Sequence, residues 1–396
     1  MKICLITNLF FPYQRGGAEK VVETIANYLK KKNQVVVITS APYSKIKTFK
    51  KIVSDDNFKI YYLYNWNIYH VLNDYKFPWI IRLLWHKIDL FNFIVWQQVK
   101  KLLINEKPDL IWTNNLKGLS LGLVKVINRL GIKHLHQLHD LQLIDPASTL
   151  YRSNKGNIDK LSLGLKIYCY FTKKFTKQIT HIISPSNFTL DWHKKLGFFP
   201  RAKTLVLPNP IIDQEIAIIK EQKSSFNLLY LGQLEEQKGI IFLIEAFKKM
   251  NNPSLQLFIA GQGSQENIVK ELIKNDNRIK FLGYLNKDQI SLTFQQTNLT
   301  IIPSLCYENS PTVIYESYEQ GIPVLASNSG GQVELVEENK TGLIFKTGDE
   351  KDLIDKINYA YNNQDLINSW KNNCLETIKN YTIDKYIARV FNFIKS

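Results

Sequence analysis

Residues 226–239 read FNLLYLGQLEEQKG, an apolar run closed by a glycine turn and the opening of a helix. Residues 2–20, KICLITNLFFPYQRGGAEK, set out the same three parts in the same order. A pattern that starts twice marks two domains. Around these starts, short β-branched runs alternate with amphipathic stretches: QVVVIT, DLIWT, KHLHQL and HIISPS in the first half, then LQLFIAG, RIKFLG, LTIIP and IPVLAS in the second. Apolar strands separated by helices belong to parallel sheets covered on both faces. So many strands fit two sheets better than one. The expected fold class is α/β, with two Rossmann-like domains whose parallel sheets face each other across a cleft. In such sheets, ligands bind outside the carboxyl ends of the strands. The expected boundaries are 1–205 for the first domain, 206–225 for a linker, 226–380 for the second domain, and 381–396 for a last helix that packs back on the first. The linker stretch LPNPIIDQEIAIIKEQKSS carries prolines and charges without alternation.

The 396 residues are 45% hydrophobic and 22% charged, ordinary for a globular chain with at least two cores. Cys4, Cys169, Cys306 and Cys374 form no Cys-x-x-Cys pair, which disfavours a zinc site or disulfide scaffold and fits a reducing cytosol. The N-terminal MKICLITNLFFP is interrupted by Thr7 and Asn8 and lacks a cleavage site, so it reads as a first strand. FPWIIRLLWHKIDLFNFIVW carries Arg82, His86, Lys87 and Asp89, and gives no clean span of ~20 apolar residues. The expected location is cytoplasmic, peripheral on the inner face of the cytoplasmic membrane.

Charge is divided unevenly. Residues 1–205 hold 32 Lys+Arg against 12 Asp+Glu, a net +20, while the remainder holds 19 against 23, a net −4. An anionic partner is implied for the first half, either nucleic acid or an acidic membrane surface. Residues 60–103 interleave Trp66, Trp79, Trp85 and Trp96 with Lys76, Arg82, Lys87, Lys100 and Lys101. That mixture suits the headgroup zone of a membrane. It equally suits an amphipathic core helix with solvated lysines, and an AT-rich genome also raises lysine content.

The densest chemistry lies in PSLCYENSPTVIYESYEQGIPVLASNSGG, residues 303–331. Ser310 reads as an N-cap and Pro311 as the first helical residue. The amides of Thr312 and Val313, with the helix dipole, then favour an anion. Glu308 lies outside that helix, and Glu316 about 7.5 Å along it at ~1.5 Å per residue. Neither carboxylate suits an anion. Their expected partners are hydroxyls on either side of it, the layout of a sugar joined through phosphates to a ribose. Gly232 at a strand end and Lys238 at a helix start should share that sheet edge, where a diphosphate needs a cation. At 4 Å an opposite charge contributes ~4 kcal/mol at an effective dielectric of 20. A helix dipole gives ~0.3–1 kcal/mol.

In the first half, Gly16 and Gly17 follow the first strand but do not form Gly-x-Gly-x-x-Gly, so a nicotinamide enzyme lacks its signature. His139 and Asp140 stand just past a strand, and His136 is expected on the sheet as a structural residue. Without an Asp-x-Asp, a carboxylate-held Mg²⁺ or Mn²⁺ is disfavoured, so no metal and no cofactor are expected. A Walker loop and a Gly-x-Ser-x-Gly elbow are also missing.

Together these residues resemble the retaining GT-B glycosyltransferases of family GT4, over nearly the whole chain. The resemblance rests on Gly16-Gly17, His139-Asp140, SPS at 184–186, PNP at 208–210, GQLEEQKG at 232–239, AGQG at 260–263 and FLGY at 281–284. Most specific is Glu308-x7-Glu316 followed by GIPVLASNSGG. The resemblance implies that Glu308 contacts the transferred sugar, Glu316 the ribose, and the amides after Asn309 the phosphate. It makes His139, Glu308 and Lys238 the expected catalytic residues, and Gly17, Gly232, Asn309, Ser310, Thr312, Val313 and Glu316 the expected donor-binding ones. It implies metal-independent transfer of a hexose from a nucleoside diphosphate sugar to a saccharide acceptor, and the basic, aromatic first half points to a lipid-linked acceptor, as in bacterial surface polysaccharide assembly. One departure stands out: Gln233 occupies the place where the family commonly has the arginine that is paired with the later lysine on the diphosphate. Either Lys238 with helix N-termini suffices, another cation such as Arg15 substitutes, or activity is weak or lost. The competing readings are a GT-B sugar-nucleotide epimerase, disfavoured by the Glu-x7-Glu loop, and a basic nucleic-acid-binding protein, disfavoured because no binding module is recognised.

Overall fold

The computed structural model describes residues 1–46, 50–55, 57–153, 155–212 and 225–396. Most of the expected linker, 213–224, lies outside them. The chain divides into two units, Met1–Ser148 with Lys160–Ile212 and Ile383–Ser396, and Thr149–Asp159 with Asp213–Thr382.

Strands in chain order are β1 (Lys2–Ile6), β2 (Gln34–Ser40), β3 (Lys50–Asp55), β4 (Phe58–Leu63), β5 (Leu110–Thr113), β6 (Lys133–Gln137), β7 (Tyr151–Arg152), β8 (Gly156–Asn157), β9 (His181–Ser184) and β10 (Lys203–Val206). In the first unit they form one sheet in the order β10-β9-β6-β5-β1-β2-β4-β3. Every pairing is parallel except β3 with β4. β1 is central, with Ile3 opposite Val35 on one side and Leu110 on the other. Its residues Ile3, Cys4, Leu5 and Ile6 are all buried, as a strand covered on both faces requires. The helix Gly17–Leu29 opens with Glu19 accepting from the Gly16 amide at 2.9 Å, the reciprocal half of a capping box. It buries Val21, Val22, Ile25, Ala26 and Leu29 against that sheet.

The last helix, Ile383–Lys395, completes this core. Ile383, Tyr386, Ile387, Val390 and Ile394 join the cluster containing Ile3, Leu5, Val22 and Trp112, and Tyr386 stacks near Trp112 at 6.5 Å. The Ile383 amide donates to the Ile211 carbonyl.

The second unit continues with β11 (Phe226–Leu231), β12 (Leu255–Ala260), β13 (Ile279–Gly283), β14 (Leu299–Ile302), β15 (Val324–Ser327) and β16 (Gly342–Phe345). These form an all-parallel sheet in the order β13-β12-β11-β14-β15-β16. Its core gathers Leu228, Tyr230, Leu243, Phe247, Leu257, Leu299 and Leu325. The helices Glu350–Asn362 and Gln364–Ile378 add Leu353, Ile357, Ile367 and Trp370 to that core. The helix expected at 381–396 was placed back on the first domain. Only this last helix leaves the second unit.

Both halves are thus Rossmann-like layers of helices on a parallel sheet. Residues 149–159 depart from the expected division. Read by sequence as first-domain chain, they group with the second unit, because β7 and β8 form a hairpin whose polar side chains find partners there. Ser153 donates to Glu236 at 2.8 Å, Asn157 to the Leu305 carbonyl at 3.0 Å, and Tyr307 to Asp159 at 2.5 Å.

Candidate functional site

In the second unit, the loops after β11 and β14 leave adjacent strands at their carboxyl ends. The first loop runs through Gly232 into a short turn, Glu236–Lys238, ahead of the helix Ile240–Lys248. Gly239 closes it at φ +73°, where an added Cβ would stand 1.9 Å from the Pro303 carbonyl oxygen. Only glycine allows both that backbone angle and that approach. The Leu305 and Cys306 amides both donate to the Gln237 carbonyl, so the two loops are tied by backbone. Lys238 and Glu308 are thereby brought together. The Lys238 Nζ lies 2.5 Å from Glu308 Oε1, which also accepts from Ser304 Oγ at 2.7 Å.

Glu308 is buried, and its backbone is held from a third side. It bridges Gly330, and its carbonyl accepts from the Gly331 amide. Gly330 has φ +75°, and a Cβ there would fall 2.1 Å from the Glu308 carbonyl oxygen. The Ser329 hydroxyl donates to the Cys306 carbonyl at 2.8 Å, and Ser327 to that of Ser304 at 2.6 Å. Burial works against the charge on Lys238, but the Glu308 carboxylate outweighs it and raises the lysine above its ordinary pKa. The site therefore holds a firm cation next to a buried carboxylate.

The helix after this loop spans Thr312–Glu319. Its start corrects one expectation. Pro311 is the N-cap itself, extended at ψ 125°, and Ser310 exchanges a hydrogen bond with Tyr315 at 2.6 Å instead of capping. Thr312 and Val313 still open the helix, so their amides have no carbonyl one turn back to bond. Asn309 is buried, and Glu316 lies half-buried one turn into the helix. A cation, a carboxylate and helix-start amides therefore share one sheet edge, an arrangement able to hold an anion flanked by hydroxyls.

Gly17 and His139 belong to the first unit. Gly17 is the first residue of its helix, whose Gly16 amide is already occupied by Glu19. His139 follows β6, with Nε2 2.8 Å from Asn114 Oδ1, and burial pushes it down to about 4, so its ring is neutral at pH 7. Asp140 accepts from the Gln142 amide at 2.7 Å and from Asn115 at 2.9 Å. Burial raises it to about 6 despite those bonds. These groups line a depression with Leu121, Leu138 and Leu143. His136 is buried on β6 against Thr113 Oγ1 at 2.9 Å, a structural place. Sequence reasoning missed Asn114 and Ser304, and read Gly330–Gly331 only as the end of the GIPVLASNSGG motif. Ser304 was legible only as a polar residue two places past an apolar strand. Among the described residues no three of His, Cys, Asp and Glu converge as a metal group, and no helix is long and apolar enough to cross a membrane.

Comparison with known proteins identifies the family and the fold. Residues 15–215 match the family profile described as Glycosyltransferase Family 4, and residues 212–376 the one described as Glycosyl transferases group 1. A Klebsiella pneumoniae protein named "Uncharacterized 42.6 kDa protein in cps region" is 27% identical over 337 residues, covering 85% of this chain and 87% of its own. Among solved structures, sucrose-phosphate synthase from Thermosynechococcus elongatus superposes with TM-score 0.77 at 17% identity, over 100% of this chain and 98% of that one. Anabaena HepE in complex with UDP does so with TM-score 0.73 at 18% identity, over the full length of both. Those likenesses carry the GT-B fold, and the family profiles carry membership: the chain belongs to the group 1 glycosyltransferases of family GT4.

Proposed function

We propose that this glycosyltransferase moves a hexose from a nucleoside diphosphate sugar to a saccharide acceptor, lipid-linked, with retention at the anomeric carbon and without a metal. The setting is assembly of a bacterial surface polysaccharide at the inner face of the cytoplasmic membrane. The observation that carries this reading is the Lys238–Glu308 pair at the carboxyl edge of the second sheet, beside a helix opening at Thr312. Support also comes from relatives: HepE has been captured with UDP-glucose, and the Klebsiella protein is encoded in a cps region.

In this mechanism the diphosphate takes Lys238 and the Thr312 and Val313 amides, which stabilise the charge that develops as the donor breaks. Glu308 then turns to a hydroxyl of the sugar, and Glu316 to the ribose. The bond from the anomeric carbon to the phosphate oxygen breaks, and the acceptor oxygen bonds to the same face. The acceptor proton goes to the departing phosphate oxygen, so no enzyme nucleophile is consumed. Neutral His139, held by Asn114, orients the sugar. With Gln233 exposed in the loop, Lys238 is the cation assigned to the diphosphate.

Calorimetry with UDP, GDP and ADP in the presence of EDTA tests the reading. Selective binding of one nucleotide supports a metal-independent donor site and fixes which sugars to try. Binding of none sinks it.

A further inference from the structure

The helix Trp79–Leu90 is built inside out. Lys87 apart, its charged residues engage inward partners: Asp89 is buried and accepts from the Gly118 amide at 3.0 Å, and the half-exposed Arg82 pairs with buried Asp74 at 3.1 Å. Asp74 also holds Lys117 at 3.4 Å and Tyr69 at 2.7 Å, so the helix is locked by a polar network. Trp85, at 0% exposed, is the one large apolar side chain of the helix fully committed to the interior. The outer face instead carries Trp79, Ile80, Leu83, Leu84, Ile88 and, at the cap, Phe91, with Trp79 at 72% exposed. They recur at one-turn intervals and make a single stripe. Scattered apolar residues are normal on a surface, but a whole helical stripe is not.

The stripe continues onto the helix Leu163–Thr176. Phe91 meets Phe171 at 6.3 Å and Phe175 at 5.6 Å, and Phe171 meets Tyr170 at 5.4 Å. There Leu163, Ile167 and Tyr170 are exposed. Exposed cations are interleaved with the apolar band: Lys87 one turn past Leu83 and Lys174 one turn past Tyr170, with Lys76 and Lys166 beside them. The helix Leu163–Thr176 has no carboxylate, and the helix Trp79–Leu90 has only the inward Asp89. A second copy docking through this face would bring lysines against lysines. An anionic bilayer takes the stripe into its acyl boundary and the lysines against its headgroups.

We infer that the paired helices Trp79–Leu90 and Leu163–Thr176 form the surface by which this protein docks on an anionic lipid bilayer. The inference gives a concrete face to the membrane partner of the proposed function and rests on that reading only for its purpose. Flotation of the full chain with vesicles of 30% phosphatidylglycerol in phosphatidylcholine, in physiological salt, tests it. The wild type should float with these vesicles and at least ~10-fold less with pure phosphatidylcholine. L83E/L84E should lose ~10-fold or more in partitioning, and K87A/K166A should lose less and flatten the salt dependence. Brominated lipid should quench tryptophan emission in the wild type and much less in W79F. UDP calorimetry on each variant reports the second unit separately, so a protein that floats without binding UDP keeps this inference and loses the donor reading, and the converse result does the opposite. The inference is overturned if the wild type stays with the pellet, if L83E/L84E floats unchanged, or if the stripe proves to be covered in a concentration-dependent dimer.

Discussion

In the structure the Lys238 ammonium already has an anion, so a diphosphate must compete with Glu308 for it. Replacing Glu308 by glutamine removes the competitor and nearly preserves shape. At 2.5 Å the pair is worth about 7 kcal/mol in Coulomb attraction at an effective dielectric of 20. Most of this is returned by water once the pair opens, because the Lys238 side chain is 28% exposed. A remainder of about 1–2 kcal/mol opposes nucleotide binding, so E308Q should bind UDP roughly 5- to 30-fold more tightly. Turnover should nevertheless fall by ~100-fold or more, since the carboxylate that orients the sugar is gone. Isothermal titration with UDP, followed by an initial-rate assay with the matching UDP-sugar, separates the two effects. If E308Q binds UDP no better than the wild type, Lys238 is not the group that receives the diphosphate.

Four further outcomes follow from the same structure. Gly330→Ala forces a Cβ onto the Glu308 carbonyl and a backbone region open essentially to glycine, costing ~1–3 kcal/mol in strain and about 1 kcal/mol in the Gly331 hydrogen bond. The second unit should lose roughly 4–16 °C in its melting transition, or UDP affinity should collapse as the loop moves, and a variant with neither change refutes the clamp. Glu316→Ala should weaken UDP binding ~10-fold with the fold intact by circular dichroism, whereas Lys238→Ala should lower kcat chiefly. Unchanged affinity and rate in both would remove the assignment. Burial lifts Asp89 to about 7, above its unfolded value near 4, so the folded state keeps a proton the unfolded chain releases. Stability contributed there is present below pH ~4 and lost as pH rises to ~7. Asp89→Asn should gain on the order of 2–4 kcal/mol over the wild type at pH 8 and almost nothing at pH 4, read from melting points across that range.

Most of the ten strands legible in the sequence are apolar runs buried on both faces, which leaves such runs little alternative, while β6 (KHLHQ) and β13 (IKFLG) are legible by the alternation of apolar and polar residues. β3, β4, β10 and β16 escaped notice, β3 and β16 for different reasons. β3 is an exposed antiparallel edge beginning with Lys50 and Lys51, and β16 is four residues opened by Gly342. The hairpin at 151–157 is too short and polar to signal itself, and its allegiance to the second unit is decided by partners far along the chain, Glu236 and Leu305. Lys238 and Glu308 could be placed on one sheet edge from spacing alone. That each is the other's partner depends on Gly239 fitting against Pro303, a contact no local pattern encodes. The tryptophans show the limit of composition. Trp66 and Trp96, outside the helix Trp79–Leu90, are half-buried, while on that helix Trp79 is exposed and Trp85 wholly buried, because the polar network around Asp74 and Asp89 sets which way the helix turns.

The helix Ile383–Lys395 has a consequence for how the protein comes into being. A ribosome releases β1 to β10 early, yet the cluster around Ile3 and Trp112 waits for Tyr386, Ile387 and Val390, made only after the second unit's sequence. At ~5–20 residues per second that delay is roughly 10–35 s. During it the nascent first unit presents an open apolar seam to chaperones. A ribosome that stalls anywhere in residues 226–382 leaves that seam exposed, marking the unfinished chain for removal, and a fragment cut at 212 carries the same defect permanently.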